Sequence, residues 1–254
     1  HNKTKILKLP NDKIANYGGF TDSENNVRMW YAEGQPLYNA MMPEYAGVSN
    51  DGQALYWVDA DIASSGISAT AKPGTKHSST TTDWSKASYY AQGSILPKAN
   101  GGFSTSLKVY DFDMSASFDY QLGGKVYDYG YQSLMSNVVT SGNGYTYSVD
   151  ILKSWTPNNV SSNIPRFQYQ DDYTSAKSTR FLTSAKYLNF QSFTVGYTIP
   201  SALLKKINLS KVRIYVQGQN LCFWSARKGL DPRYSFSGQA STGIDSYAPV
   251  RTIM

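Results

Sequence analysis

From Phe112 to Leu122 the chain keeps strict period two for eleven residues. Phe112, Met114, Ala116, Phe118, Tyr120 and Leu122 alternate with Asp113, Ser115, Ser117, Asp119 and Gln121. Successive side chains of a strand point to opposite faces, so this run predicts a β-strand with one apolar and one polar face. A helix would scatter the same residues around its circumference. Just before it, Phe103, Thr105, Leu107 and Val109 alternate with Ser104, Ser106 and Lys108, and only Tyr110-Asp111 separates the runs. That spacing predicts a two-residue hairpin.

The hairpin constrains its own register. A two-residue turn pairs Val109 with Phe112, Leu107 with Met114, Thr105 with Ala116 and Phe103 with Phe118, all on the more apolar face. The other face then pairs Lys108 with Asp113, Ser106 with Ser115 and Ser104 with Ser117, a charge pair and two hydroxyl pairs. A slip of one residue spoils both faces.

A second pair of strands is expected where Phe193, Val195 and Tyr197 alternate, and again at Val212, Ile214 and Val216. Pro200 to Lys206 has the makings of one short helical turn, with Pro200 suited to its start, but is read as an ordinary connector. Residues 123–186 are rich in Gly, Ser, Asn and Tyr, with one helix-like patch at Val149–Trp155 that stops at Pro157. Such a long irregular stretch is uncommon in a compact soluble domain. Upstream, Val27–Tyr31 and Ala54–Val58 read as short strands, Asn50-Asp51-Gly52 as a turn and Gly66–Ser85 as a polar loop.

Composition removes several classes. Tyr occurs 21 times and Gly 20 times, while only 17% of residues are charged, which suits strands and turns better than long helices. The net charge is +6, but its cations are scattered and form no stripe that tracks a phosphate backbone, so nucleic acid is not an expected partner. Cys222 is the only cysteine, which rules out an intrachain disulfide framework. No stretch approaches the ~20 apolar residues of a spanning helix, yet a transmembrane strand needs only about 9–11 with one apolar face.

Catalytic constellations are poorly supported. His1 and His77 are the only histidines, with no zinc-ligand spacing around either, and no Gly-x-Ser-x-Gly elbow is present. Asp59 with Asp61 and Asp171 with Asp172 read as solvated loop carboxylates, with calcium ligation ahead of catalysis as a role. Gly123-Gly124 and Gly142-Asn143-Gly144 read as turns, since the Lys-Ser/Thr of a phosphate loop is missing. No metal, no cofactor and no enzymatic activity are expected.

Across most of its length the sequence resembles one family. Glu33-Gly34-Gln35-Pro36-Leu37-Tyr38, Pro43-Glu44-Tyr45-Ala46-Gly47-Val48, Asp51-Gly52 and Leu55-Tyr56-Trp57 are followed by Gly101-Gly102-Phe103 and by Tyr120 to Asp128. Then come Trp155-Thr156-Pro157-Asn158-Asn159, Pro165-Arg166-Phe167, Arg180-Phe181-Leu182, Tyr187-Leu188, Val195-Gly196-Tyr197-Thr198-Ile199-Pro200 and Gln219-Asn220-Leu221. Gly229-Leu230-Asp231-Pro232 and Tyr247-Ala248-Pro249-Val250-Arg251-Thr252 close the series. In number and order these resemble the SusC/RagA-type TonB-linked outer-membrane receptors over roughly residues 30–252.

The resemblance implies an all-β fold, an antiparallel transmembrane β-barrel segment made of the C-terminal strands of a large TonB-dependent receptor barrel, with long extracellular loops. Residues 1–102 would form a barrel segment with extracellular-side loops, and 103–254 the C-terminal hairpins and long loops. The final strand, the plug and the TonB box would lie outside the chain. The implied function is import of glycans or similar oligomers across the outer membrane of a Gram-negative bacterium. Its partners would be a SusD-like surface lipoprotein, TonB through the missing N-terminal part, an oligosaccharide substrate and the lipid bilayer.

On this reading Tyr110-Asp111 is periplasmic and segments 123–186 and 222–250 are extracellular. Phe112, Met114, Phe118, Tyr120 and Leu122 would face lipid, with Tyr120 suited to the interfacial girdle. Tyr127, Tyr129, Tyr131, Trp155, Trp224 and Tyr234 become the candidate substrate contacts, because flat aromatic faces with polar tips suit sugar rings. The rival is a secreted β-sandwich that binds carbohydrate. It requires the even-numbered face of 112–122 to pack in a protein core.

Overall fold

The structure is a computed structural model that describes residues 3–8, 28–30, 33–59, 77–136, 146–168, 171, 173–205, 208–235 and 250–254. Its strands are β1 (Arg28–Trp30), β2 (Asn39–Pro43), β3 (Tyr45–Val48), β4 (Ala54–Val58), β5 (Ser79–Thr81), β6 (Tyr89–Ser94) and β7 (Ala99–Val109). They continue as β8 (Phe112–Leu122), β9 (Lys125–Tyr127), β10 (Leu182–Ser184), β11 (Tyr187–Thr198), β12 (Arg213–Ser225) and β13 (Thr252–Ile253). Three short helices intervene: α1 (Tyr129–Leu134), α2 (Ser201–Leu204) and α3 (Pro232–Ser235).

The main sheet is antiparallel in the order β13-β12-β11-β8-β7. Its β7–β8 hairpin has the register that the alternation dictates, Val109 opposite Phe112 through Phe103 opposite Phe118. Tyr110 takes a positive φ of 52° in the two-residue turn, the left-handed backbone region that favoured hairpin turns use at their first central position. The two strands expected downstream pair directly, from Tyr197 opposite Ile214 to Tyr187 opposite Ser225. The connector between them carries α2, behind Pro200.

A bulge keeps the faces consistent. On β11 the outward residues change parity, from Phe193, Val195 and Tyr197 to Leu188 and Phe190, and the register against β8 shifts between Phe190 and Ser192. Gln191 is the extra residue that absorbs the change. One face therefore carries Val109, Leu107 and Phe103, then Phe112, Met114 and Phe118, then Tyr197, Val195, Phe193 and Phe190, then Ile214 and Val216. Much of it is open, with Phe112 57%, Leu107 55% and Ile214 62% exposed. The β-sandwich alternative places this face in a protein core, and the structure leaves it uncovered.

Phe118 stacks between Phe103 (4.8 Å) and Phe190 (4.5 Å), which ties three strands together on that face. Tyr120 lies across Gly101, whose missing side chain leaves room for the ring. Both are half-buried, whereas Phe112, Met114 and Leu122 are exposed.

The opposite face is polar and is braced across strands. Asn189 donates to Asp119 at 2.7 Å, and the Ser117 and Ser192 hydroxyls lie 2.7 Å apart. The Lys108–Asp113 charge pair expected from the hairpin does not capture the carboxylate. Arg213 takes it in a two-pronged contact, with Nε at 3.0 Å, by reaching from β12 across β11 to β8. Gly196 makes this possible, because any Cβ there would collide with the guanidinium. Gly196→Val is expected to dislodge Arg213. In that background Arg213→Ala should have no further effect on stability, a non-additivity that a double-mutant cycle measures.

Upstream, β1-β2-β6 and β3-β4-β5 form two three-stranded sheets. The strands expected near Val27–Tyr31 and Ala54–Val58 are present, and the Asn50-Asp51-Gly52 turn lies between β3 and β4. The polar loop expected at 66–85 is corrected at its end, where β5 and a 3₁₀ turn at Trp84–Lys86 form; most of the rest lies outside the described residues. The long stretch 123–186 is also less irregular than its composition implies, because β9 and β10 pair and α1 follows β9. No helix among the described residues is long and apolar enough to cross a membrane, which says nothing about strands.

Candidate functional site

The β7–β8 turn and the β11–β12 connector lie at one end of the main sheet, and Tyr127, Tyr129, Tyr131 and Trp224 lie toward the other. The Gly123-Gly124 turn carries the chain from β8 into β9, with both glycines at positive φ. At this end Gln121 donates to the Ala185 carbonyl (2.9 Å) and the Ala185 amide to that of Gly124 (3.2 Å), which docks β9 and β10 on the sheet.

Here an aromatic cluster forms around Tyr127, Met135, Phe181 and Met42, with Tyr129, Tyr131, Ile151 and Ile164 packed against it. Asp128 accepts from the Tyr131 amide at 2.9 Å and so starts α1. Its other oxygen receives Arg227 Nη1 at 2.7 Å. The Arg227 guanidinium lies 3.7 Å from the Tyr131 ring centre, a cation–π contact. Tyr131 in turn donates to Asp150 at 2.9 Å. Asp150 is held below the usual carboxylate range, first by its hydrogen bond from Lys153 and then by that from Tyr131.

Arg227 begins the turn that leads into Gly229-Leu230-Asp231-Pro232. Leu230 is buried with Val126 and Ala185, and the Ser225 hydroxyl lies 2.7 and 2.6 Å from the Arg227 and Leu230 carbonyls. Asp231 fixes Arg233 through Nε (2.9 Å) and Nη2 (2.6 Å). The Arg233 guanidinium lies over Phe223 at 4.7 Å and Tyr187 at 5.5 Å on the polar face of the sheet. A cleft of about 400 Å³ opens beside this turn, lined in part by Asn220, Phe223, Trp224 and Lys228.

Of the residues nominated from sequence, Tyr127, Tyr129 and Tyr131 come together. Tyr127 is 5% exposed and serves as core. Trp155 lies apart, packed over Gly52. Trp224 is on β12 rather than in a loop, opposite Leu188 on the apolar face. Tyr234 falls in α3, its side chain outside the described residues, as are His1, Asp61 and Asp172.

Asp59, read as a solvated carboxylate, is buried, and its amide donates to the Ser88 hydroxyl at 3.1 Å. Asp171 accepts from the Tyr173 and Thr174 amides and shapes a turn. His77 sits 2.8 Å from Glu44 and stacks on Trp57 at 4.5 Å, contacts that no local spacing announces. No group of three or more candidate metal ligands occurs among the described residues.

Burial also governs the tyrosines. Tyr45 is pushed up to about 12 by burial, against the pull of Arg180, and burial raises Tyr56 and Tyr127 as well. A raised tyrosine is protonated in both states below the ordinary value of 10.0. Its contribution to stability is therefore complete below pH 10 and is lost as pH rises through the folded value. An absorbance titration should find these tyrosines ionising above the exposed ones, with stability falling between about pH 10 and 12.

No family model matches the chain. It is 28% identical over 168 residues to TonB-dependent receptor P3 of Formosa agariphila, covering 63% of this chain and 16% of that protein. It is 24% identical over 151 residues to TonB-dependent receptor P26 of the same organism, covering 59% and 15%. Among solved structures it is similar to the RagAB peptide transporter, with a TM-score of 0.62 and 20% identity over 91% of this chain and 22% of that one. The RagAB peptide importer in its closed-closed state gives 0.64 and 20% over 90% and 23%. The chain thus spans less than a quarter of each of these proteins. The ordered motifs and the likeness to two TonB-dependent receptors, with the antiparallel fold shared with the solved structures, support the resemblance to SusC/RagA-type TonB-dependent receptors.

Proposed function

We propose that the chain forms part of the wall and extracellular mouth of an outer-membrane importer of oligomers. The observation that carries this reading is the division of the main sheet into one uncovered apolar face and one polar, cross-braced face. A barrel wall needs that division, because lipid meets one side and water the other. Phe112, Met114, Phe118, Tyr120 and Leu122 then face lipid. Residues 103–254 supply the wall hairpins and the mouth, and 1–102 a further segment with extracellular-side loops. Tyr129, Tyr131, Trp155 and Tyr234 contact cargo, with Tyr127 supporting them from within, while Trp224 stands on the apolar face at the edge of the mouth.

In this reading the cargo is an oligosaccharide, a SusD-like lipoprotein caps the mouth, and TonB drives passage through a part of the receptor outside this chain. No bond is made or broken. Deleting the receptor gene should abolish uptake of labelled oligosaccharides, and the wild-type gene should restore it; uptake that survives deletion contradicts the proposal. A peptide cargo is the second reading, favoured by the likeness to a peptide transporter. Labelled oligopeptides in the same assay separate the two.

A further inference from the structure

The segment from Thr174 to Phe181 wraps a guanidinium that forms no ion pair among the described residues. Arg180 Nη1 donates to the Thr174 carbonyl at 2.6 Å. Its guanidinium carbon lies 5.1 Å from the Phe181 ring centre and 5.7 Å from that of Tyr45. Desolvation pulls its pKa below the ordinary guanidinium value, while the surrounding tyrosines favour the charged form.

The Thr174 and Ser178 hydroxyls lack a hydrogen-bond partner among the described residues, and the buried Tyr127 hydroxyl beside them meets only the Ser178 backbone. Thr174, Ser178 and Tyr127 are 3%, 0% and 5% exposed. Tyr127 packs on Phe181 and faces the Ser178 backbone, and Thr174 and Ser178 belong to the loop that wraps Arg180. An unsatisfied buried hydroxyl costs about 1–3 kcal/mol, and a buried charge without a partner costs more. A protein retains such groups together where something else completes them.

We propose that Arg180, with Tyr127, Thr174 and Ser178, is a recognition site for one carboxylate group of the imported ligand. The inference rests on the reading of this end of the sheet as the side that meets cargo. A guanidinium presents planar, parallel donors that match the two oxygens of a carboxylate. The hydroxyls add neutral donors, and the aromatic walls exclude water, which strengthens the contact. A cation is excluded from the same place by the charge of Arg180. An acidic sugar and a peptide C-terminus carry the same group, so the site selects chemistry rather than polymer.

The test uses the intact receptor with acetate as probe, read by hydrogen exchange at constant ionic strength. Acetate at about ten times its dissociation constant should slow exchange across 174–181 by about tenfold, leave 112–122 unchanged and have no effect in Arg180→Met. Exchange at 174–181 that ignores acetate overturns the proposal, as does an acetate effect that survives Arg180→Met. A structure of the intact receptor with one of its own carboxylates on Arg180 also overturns it. Competition for the site by an acidic oligosaccharide but not its carboxyl-reduced form, or by a free-ended peptide but not its amide, supports the proposal and names the source. Uptake that persists while acetate has no effect removes this inference alone; an acetate effect without uptake removes the import reading instead.

Discussion

Phe118→Arg in the intact receptor is expected to reduce the assembled outer-membrane form by about tenfold or more, because a cation near the middle of a lipid-facing strand costs about 2–4 kcal/mol. The position compounds the effect. Phe118 is the middle ring of the Phe103–Phe118–Phe190 stack that spans three strands, and each aromatic pair adds about 0.5–1.5 kcal/mol beyond its buried area. Ser106→Arg provides the control. Ser106 is exposed and pairs with Ser115 on the polar face of the same hairpin, so the same charge should assemble at the wild-type level. The folded fraction, read by the mobility shift between unheated and heated receptor on electrophoresis, separates the two. Equal loss for both would mean that the hairpin tolerates no arginine at all and would remove the argument from faces.

Gly124→Ala is expected to loosen β9 and β10 from the main sheet. Gly124 has φ +77°, and a Cβ there would come within 2.7 Å of the Ile95 carbonyl oxygen. That neighbour is backbone and cannot rotate away. The left-handed conformation costs an alanine about 1–2 kcal/mol, and overpacking adds about 1–3 kcal/mol. The sum falls on the turn that delivers β9 to β10 and hence Tyr127 and Asp128 to the aromatic cluster. Amides of β9 and β10 should exchange faster by a factor on the order of 10². Gly93→Ala isolates the conformational part, since Gly93 also has a positive φ but nothing within 4 Å of its Cβ position. Its effect should be confined to β6 and much smaller.

What was legible in the sequence was whatever repeated within one strand or one turn. The β7–β8 register followed from alternation alone, because eleven residues of period two leave no second solution. The β11–β12 pairing is legible for the same reason, but the bulge at Gln191 interrupts the period. Its signal was available in the change of outward parity between Phe193 and Phe190. Strands of three residues such as β9 and β10 are too short for a period to register, so the stretch around them read as irregular.

The aromatic cluster was legible only as an inventory. Tyr127, Tyr129 and Tyr131 gather, but Phe181, Arg227 and Arg180 join them from segments 49 or more positions away in the chain, with no local mark. Gly229-Leu230-Asp231-Pro232 matched a family motif without a stated reason. The structure supplies one in the burial of Leu230 and the grip of Asp231 on Arg233. Trp155 and Trp224 drew notice as large aromatics, and the fold sends one to the Gly52 turn and the other to the apolar face.

The central claim is that one face of the main sheet meets lipid and the other meets water. The most direct test places single nitroxide labels on the intact receptor in bilayers, in a Cys222→Ser background, at Leu107, Met114 and Val195 and at Ser106, Ser115 and Thr194. The account predicts that the first three are reached by dissolved oxygen and shielded from a water-soluble nickel complex, and that the second three show the reverse. Labels at Leu107, Met114 and Val195 shielded from both reagents would mean that the apolar face is packed in protein, and would contradict the account.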